Sequence, residues 1–126
     1  MASANGMILM YVANESKRKQ IEALCTELSI TSKKLKPSDM NKTVGGIIGI
    51  KGLKDRKNIS IPLGYMFPEL IVFSGIDDKK LDVFLESYRN EGIEKVELKA
   101  IVTPHNIKWT LYELVQELKK ENTSIR

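Results

Sequence analysis

The chain has one cysteine, one histidine and one tryptophan among its 126 residues. A lone Cys25 cannot make an internal disulfide, and without a second cysteine nothing begins a thiolate zinc or iron–sulfur site. Four prolines and eight glycines, without a short repeat, exclude a collagen-like or low-complexity chain. No run approaches the roughly 20 apolar residues of a membrane span, and the first residues do not read as a signal peptide. A membrane is therefore not an expected partner, a reducing cytoplasm is the expected location, and no metal or cofactor is expected. What is present suits one compact domain over residues 1–126: 42% hydrophobic and 29% charged residues at a length that buries a sizeable core.

Charge is unevenly spread. Residues 1–62 hold 11 Lys and Arg against 5 Asp and Glu, whereas residues 63–126 hold 9 against 11, so +6 in one half faces −2 in the other. The densest basic stretch is Lys51, Lys54, Arg56 and Lys57, with Lys33, Lys34 and Lys36 upstream. Such a stretch draws anions. No aromatic residue is interleaved for base stacking, so weak, salt-sensitive, nonspecific contact is the most that nucleic acid should make.

Two segments of like organisation follow one another. Met7 to Val12 is a continuous apolar run, as in a strand covered on both faces. From Glu15 to Ser29, Ile21, Leu24, Cys25 and Leu28 fall at the spacing of one helix face. Ile30 to Lys36 reads as a lysine-bearing edge strand. Pro37, Ser38 and Asp39 then open a helix carrying Met40, Val44, Ile47 and Ile48. The second half repeats the order, with a strand at Leu70 to Phe73 and a helix started by Asp77 and Asp78 that turns Leu81, Phe84, Leu85 and Tyr88 inward and stops at Gly92. A strand follows at Leu98 to Val102. A last helix, capped by Thr103 with Pro104 at its first position, runs to Asn122 with Ile107, Leu111, Leu114, Val115 and Leu118 on its apolar stripe.

Laying Pro37 on Pro104 without a gap puts Asp39 on Asn106, Met40 on Ile107, Thr43 on Thr110, Val44 on Leu111 and Ile47 on Leu114. We read this as an internal duplication of a β-α-β-α unit, residues 7–50 and 69–122, joined by a loop at 51–68 in which Asn58 to Ile61 could be extended. The expected fold is α/β: one mainly parallel four-stranded sheet of order 2-1-3-4, its lysine-bearing strand at an edge, with helices on both faces.

The strand Pro68-Glu69-Leu70-Ile71-Val72-Phe73-Ser74-Gly75 and the helix start Thr103-Pro104-His105-Asn106-Ile107-Lys108-Trp109 are similar to an uncharacterised bacterial family known only as a domain of unknown function. Its signatures are a strand closed by glycine and a Thr-Pro-x-Asn-x-x-Trp helix start. The resemblance implies no activity and transfers no catalytic residue.

Candidate ligand-binding residues are Asn14, Asp77, Thr103, His105 and Asn106, which should stand at strand ends, where open α/β sheets bind ligands. Asp77 and Thr103 have a plainer role as helix caps, and His105 as a first-turn residue. Trp109 and Tyr112, three apart on the expected last helix, should form an aromatic patch beside its stripe, a candidate interface. Gly45, Gly46 and Gly49 weaken the corresponding helix of the first unit and would admit a close neighbour, so Gly45 and Gly49 join the candidate interface. The glycine string lacks the Gly-Lys-Ser/Thr ending of a phosphate loop. The leading expectation is a non-catalytic binding or regulatory domain that self-associates or docks a protein partner. The alternative is a small-ligand or anion-binding protein, or an enzyme, with its site at the strand ends, and a third reading is nucleic-acid binding by the basic half.

Overall fold

A computed structural model describes residues 6–53 and 60–124. Lys54, Arg56 and Lys57 of the basic stretch, and Asn58 and Ile59 of the expected extended segment, lie outside them. Four strands, β1 (Met7–Tyr11), β2 (Thr31–Lys34), β3 (Leu70–Ser74) and β4 (Leu98–Ile101), form one sheet of order β2-β1-β3-β4. Helices α1 (Glu15–Glu27), α2 (Val44–Ile47), α3 (Asp78–Asn90) and α4 (Leu111–Ser124) alternate with the strands. The alternation of side chains along each strand sorts the core into two layers. Ile8, Met10, Ile71 and Phe73 pack against Ile21, Leu24, Phe84 and Tyr88 of α1 and α3. Leu9, Leu70, Val72 and Leu98 pack against Val44, Leu111, Leu114 and Val115 of α2 and α4.

The sheet is mostly parallel, in pairs β1–β2 and β3–β4, but β1 and β3 run antiparallel. The central antiparallel pair corrects any picture in which all strand ends share one side.

The two halves share their local geometry. Asn14 caps α1 by accepting from Lys17 N at 2.9 Å, and Asp77, 63 residues on, caps α3 by accepting from Lys80 N at 2.8 Å. Both helices end on a left-handed residue, Ser29 (φ 59°) and Gly92 (φ 70°), which turns the chain back to the sheet. The next strand then pairs in the same register, Met7 with Thr31 and Leu70 with Leu98. Contacts between the halves are reciprocal. Leu9 sits opposite Val72 at the centre of β1–β3. Thr43 bridges Thr110, with Val44 N donating to Trp109 O (2.8 Å) and Leu111 N to Lys42 O (2.9 Å). Such reciprocity is what a local twofold between the halves produces.

Two expected helices are shorter than their periodicity suggested. In place of one helix from Pro37, the chain makes a 3-10 turn at Pro37–Asp39, breaks, and restarts as α2 with Thr43 Oγ1 accepting from Gly46 N at 3.0 Å. Likewise Thr103 does not cap the last helix. Residues Asn106–Lys108 form a 3-10 turn, Trp109 is extended (φ −77°, ψ 150°), and α4 begins after Thr110. There Thr110 Oγ1 accepts from Glu113 N (3.1 Å) and Glu113 Oε1 accepts from Thr110 N (2.9 Å), a reciprocal cap. Apolar spacing cannot register a short break that leaves the stripe in phase.

Candidate functional site

An open cleft of about 450 Å³ wraps the free edge of β4. One wall is α3, through Leu81 and Leu85. The other is α4 and its approach, through Trp109, Leu114 and Leu118. The floor is Lys99, Ala100 and Ile101. Ile101 is 55% exposed although it faces this apolar lining, an unusual place for a branched side chain at a sheet edge. The polar lining residues are Lys99 on the floor, Thr103, His105 and Asn106 at one end, and on the α4 wall Glu117, which pairs with Lys120 at 3.3 Å, and Glu121.

The turn between β4 and α4 is braced from within. Asn106, 9% exposed, accepts at Oδ1 from Thr103 N (2.9 Å) and donates through Nδ2 to Ile101 O (3.0 Å). Thr103 Oγ1 accepts from both His105 N (3.2 Å) and Asn106 N (3.0 Å). This network holds the exposed His105 ring edge-on to Trp109, with centroids 5.3 Å apart and planes at 76°. The brace presents a fixed aromatic corner to the cleft.

Thr103, His105, Asn106 and Trp109 thus converge on one cleft. Asp77, exposed, spends its carboxylate on the α3 cap. Asn14 is not beside Asp77. Because β1 is antiparallel to β3, Asn14 stands at the opposite end of the sheet, roughly 17 Å away along a five-residue strand. Trp109 and Tyr112 do not share a helix face: Trp109 precedes α4, whereas Tyr112 packs edge-on against Tyr65 at 5.2 Å, and the Tyr65 hydroxyl accepts from Gln116 Nε2 at 2.9 Å. A Cβ on Gly45 would meet the Leu53 side chain and stand 3.0 Å from Ile107 O, so this glycine allows a close approach within the chain itself. Gly49 has φ +100° and open space around it.

Leu81, Leu85, Lys99, Ile101, Glu117 and Leu118 were absent from the sequence-derived candidates, because only the packing of α3 and α4 around β4 brings them together. The Thr110-x-x-Glu113 pattern was readable as a capping box and would have moved the helix start.

Three ionisable groups away from the cleft are buried. Burial, then the Glu22 charge, pushes the Cys25 thiol up to about 12. Burial, then Glu69 and Glu94, pushes Tyr88 up to about 12, and its hydroxyl donates to Glu94 O. Lys17, buried, joins the foot of the sheet by donating to Glu69 Oε1 (2.7 Å) and Lys95 O (2.6 Å). Among the described residues no group of three His, Cys, Asp or Glu side chains could hold a metal ion, and no helix is long and apolar enough to cross a membrane.

The fold and cleft define a mixed α/β domain with one open, apolar sheet edge. Residues 69–125, which carry that edge and both walls, match the model of a family described as a domain of unknown function (DUF3783). No curated protein and no solved structure matches the chain.

Proposed function

We propose that the chain is a non-catalytic binding domain that acts through protein contacts, with the β4 cleft as its working surface. The observation that carries this reading is the cleft itself: aliphatic walls on two helices, an exposed Ile101 on the floor and a braced Trp109–His105 corner. Aromatic and aliphatic anchors around a desolvated centre are the usual source of interface affinity. Regulation by docking and a cytoplasmic setting belong to the same reading, as does an origin of the two halves by duplication of one β-α-β-α unit, which their common caps and registers favour.

Trp109 is the only tryptophan and lines the cleft, so it reports directly on occupancy. Dilute protein titrated with anilinonaphthalene sulfonate, an apolar dye, should show saturable energy transfer from Trp109. Leu85→Asp and Leu118→Asp, one on each wall, should weaken it about tenfold or more. Transfer that never saturates, or that both variants leave unchanged, would sink the reading.

A small-ligand reading of the same cleft draws support from its volume, which lies within the usual range of about 300–1,000 Å³ for ligand pockets. It would use Thr103 and His105 as polar contacts, with a small anion as one candidate. Nucleic acid would have to use the other, basic edge, and only weakly.

A further inference from the structure

We infer that the partner of the β4 cleft is a second copy of this chain, paired strand to strand through β4; this rests on the reading of the cleft as a protein-docking surface. Leu98 N donates to Glu69 O (3.2 Å) and Val102 N to Phe73 O (2.8 Å), so alternate residues of β4 turn their backbone groups toward β3. By the same alternation Lys99 and Ile101 turn theirs to the open edge. Ile101 O takes the Asn106 side chain there, and a carbonyl can accept a second bond.

A twofold-related β4 laid antiparallel with Ala100 opposite Ala100 pairs Lys99 with Ile101 in both directions. That register uses the outward amides and carbonyls of both residues in four backbone hydrogen bonds. Small methyls meet at the centre, and Lys99 lies opposite Ile101 instead of another cation, whereas a register with Lys99 opposite Lys99 is penalised. Each Ile101 then gains cover on the face where Leu81 and Leu85 stand.

The other edge explains why such pairing closes. At the positions equivalent to Ala100 and Ile101, 67 residues earlier, β2 carries the exposed Lys33 and Lys34. Two adjacent lysines on an edge strand oppose an added strand, whereas the single lysine of β4, Lys99, lies opposite Ile101 in the register above. A β4–β4 dimer would have order β2-β1-β3-β4-β4-β3-β1-β2, with a lysine-bearing β2 at both outer edges, so assembly stops at two copies in place of a filament. The arrangement also repeats between copies the antiparallel pairing that β1 and β3 already make between the halves.

Sedimentation equilibrium from nanomolar to high micromolar chain tests this on wild type and Ile101→Lys, which gives β4 the residue β2 has at that place. Wild type should reach a dimer, and the variant should dissociate about tenfold more readily with unchanged circular dichroism. Amide exchange gives a second, substitution-free measure: Lys99 and Ile101 amides should gain protection as concentration rises, while Leu98 and Val102 are protected throughout. If Ile101→Lys does not fold, this alternating pattern decides alone. A monomer at every concentration, or a dimer in which the Lys99 and Ile101 amides gain nothing, overturns the inference. In either case saturable dye transfer from Trp109 in dilute wild type keeps the cleft as a binding surface for another occupant, an extended peptide or a small ligand, whereas its absence removes both readings.

Discussion

At the β2 edge Lys33, Lys34 and Lys36 stand where the β4 edge has Ala100, Ile101 and Thr103, and the contrast continues into the layers that cover them. Arg18 and Glu22 of α1, an ion pair at 3.6 Å, occupy the places of Leu81 and Leu85 of α3. Lys42 occupies that of Trp109. On the other face α2 stops after four residues, whereas α4 runs for 14. Gly45 and Gly46 replace Tyr112 and Glu113, and at Gly46 a Cβ would stand 2.7 Å from Leu53 O. One backbone plan thus presents a largely apolar, walled cleft at one edge and a basic edge at the other. Part of the charge difference between the halves thus lies, among the described residues, at the two sheet edges, and backbone geometry alone does not distinguish them.

The sharpest way to break the comparison is to force the second half's residue into the first. Gly45→Tyr should cost about 3 kcal/mol, because the new side chain must displace Leu53 and the Ile107 carbonyl. Chemical denaturation measures it, and a neutral result would show that the two segments separate freely. Next comes the buried lysine that the second half lacks. Lys17→Met leaves the Glu69 carboxylate and Lys95 carbonyl without their donor and should cost about 2 kcal/mol. Lys80→Met, at the equivalent site of α3, should change the unfolding free energy by less than about 0.5 kcal/mol.

The paired caps come third. Thr43→Ala and Thr110→Ala should each cost about 1 kcal/mol, and Thr103→Ala a similar amount through the lost 3-10 turn bonds. Thermal midpoints of the three variants rank them, and Thr110→Ala should also lower helix content, since it starts the longer helix.

The smallest effect is expected at Asp39, where Asn106 is the counterpart. Lys36 N donates to Asp39 Oδ2 at 2.9 Å as Thr103 N does to Asn106 Oδ1. Burial alone would raise the Asp39 carboxyl, but the Lys36 amide and the Lys42 ammonium, 2.9 Å away, outweigh it and hold it below the usual carboxylate range. A depressed carboxyl contributes stability above its unfolded pKa and loses it as pH falls through the folded one. Asp39→Asn keeps the turn bond and forfeits only the ion pair, so it should cost about 0.5 kcal/mol at neutral pH. Urea midpoints of wild type and variant should converge below pH 4, and a gap that persists in acid would show that the turn bond itself was lost.

Periodicity and end signals in the chain were sufficient for the strand order, the four strands within a residue or two, and α1 and α3 with the Asp77 cap of α3; the Asn14 cap of α1 went unread. These are local properties: a run of apolar residues, a 3.6-residue stripe and a capping side chain act over one turn or one strand. Three features depended on contacts between distant residues. The direction of β3 against β1 is one, because strands of either direction have the same apolar pattern. The break at Trp109 exists because Trp109 O accepts from Val44 N, across the twofold. The cleft exists because α3 and α4, 20 residues apart in the chain, close on opposite faces of one four-residue strand. Side-chain chemistry along the chain specified what each element would bury; only the packing of one half against the other decided which edge would be left open and apolar.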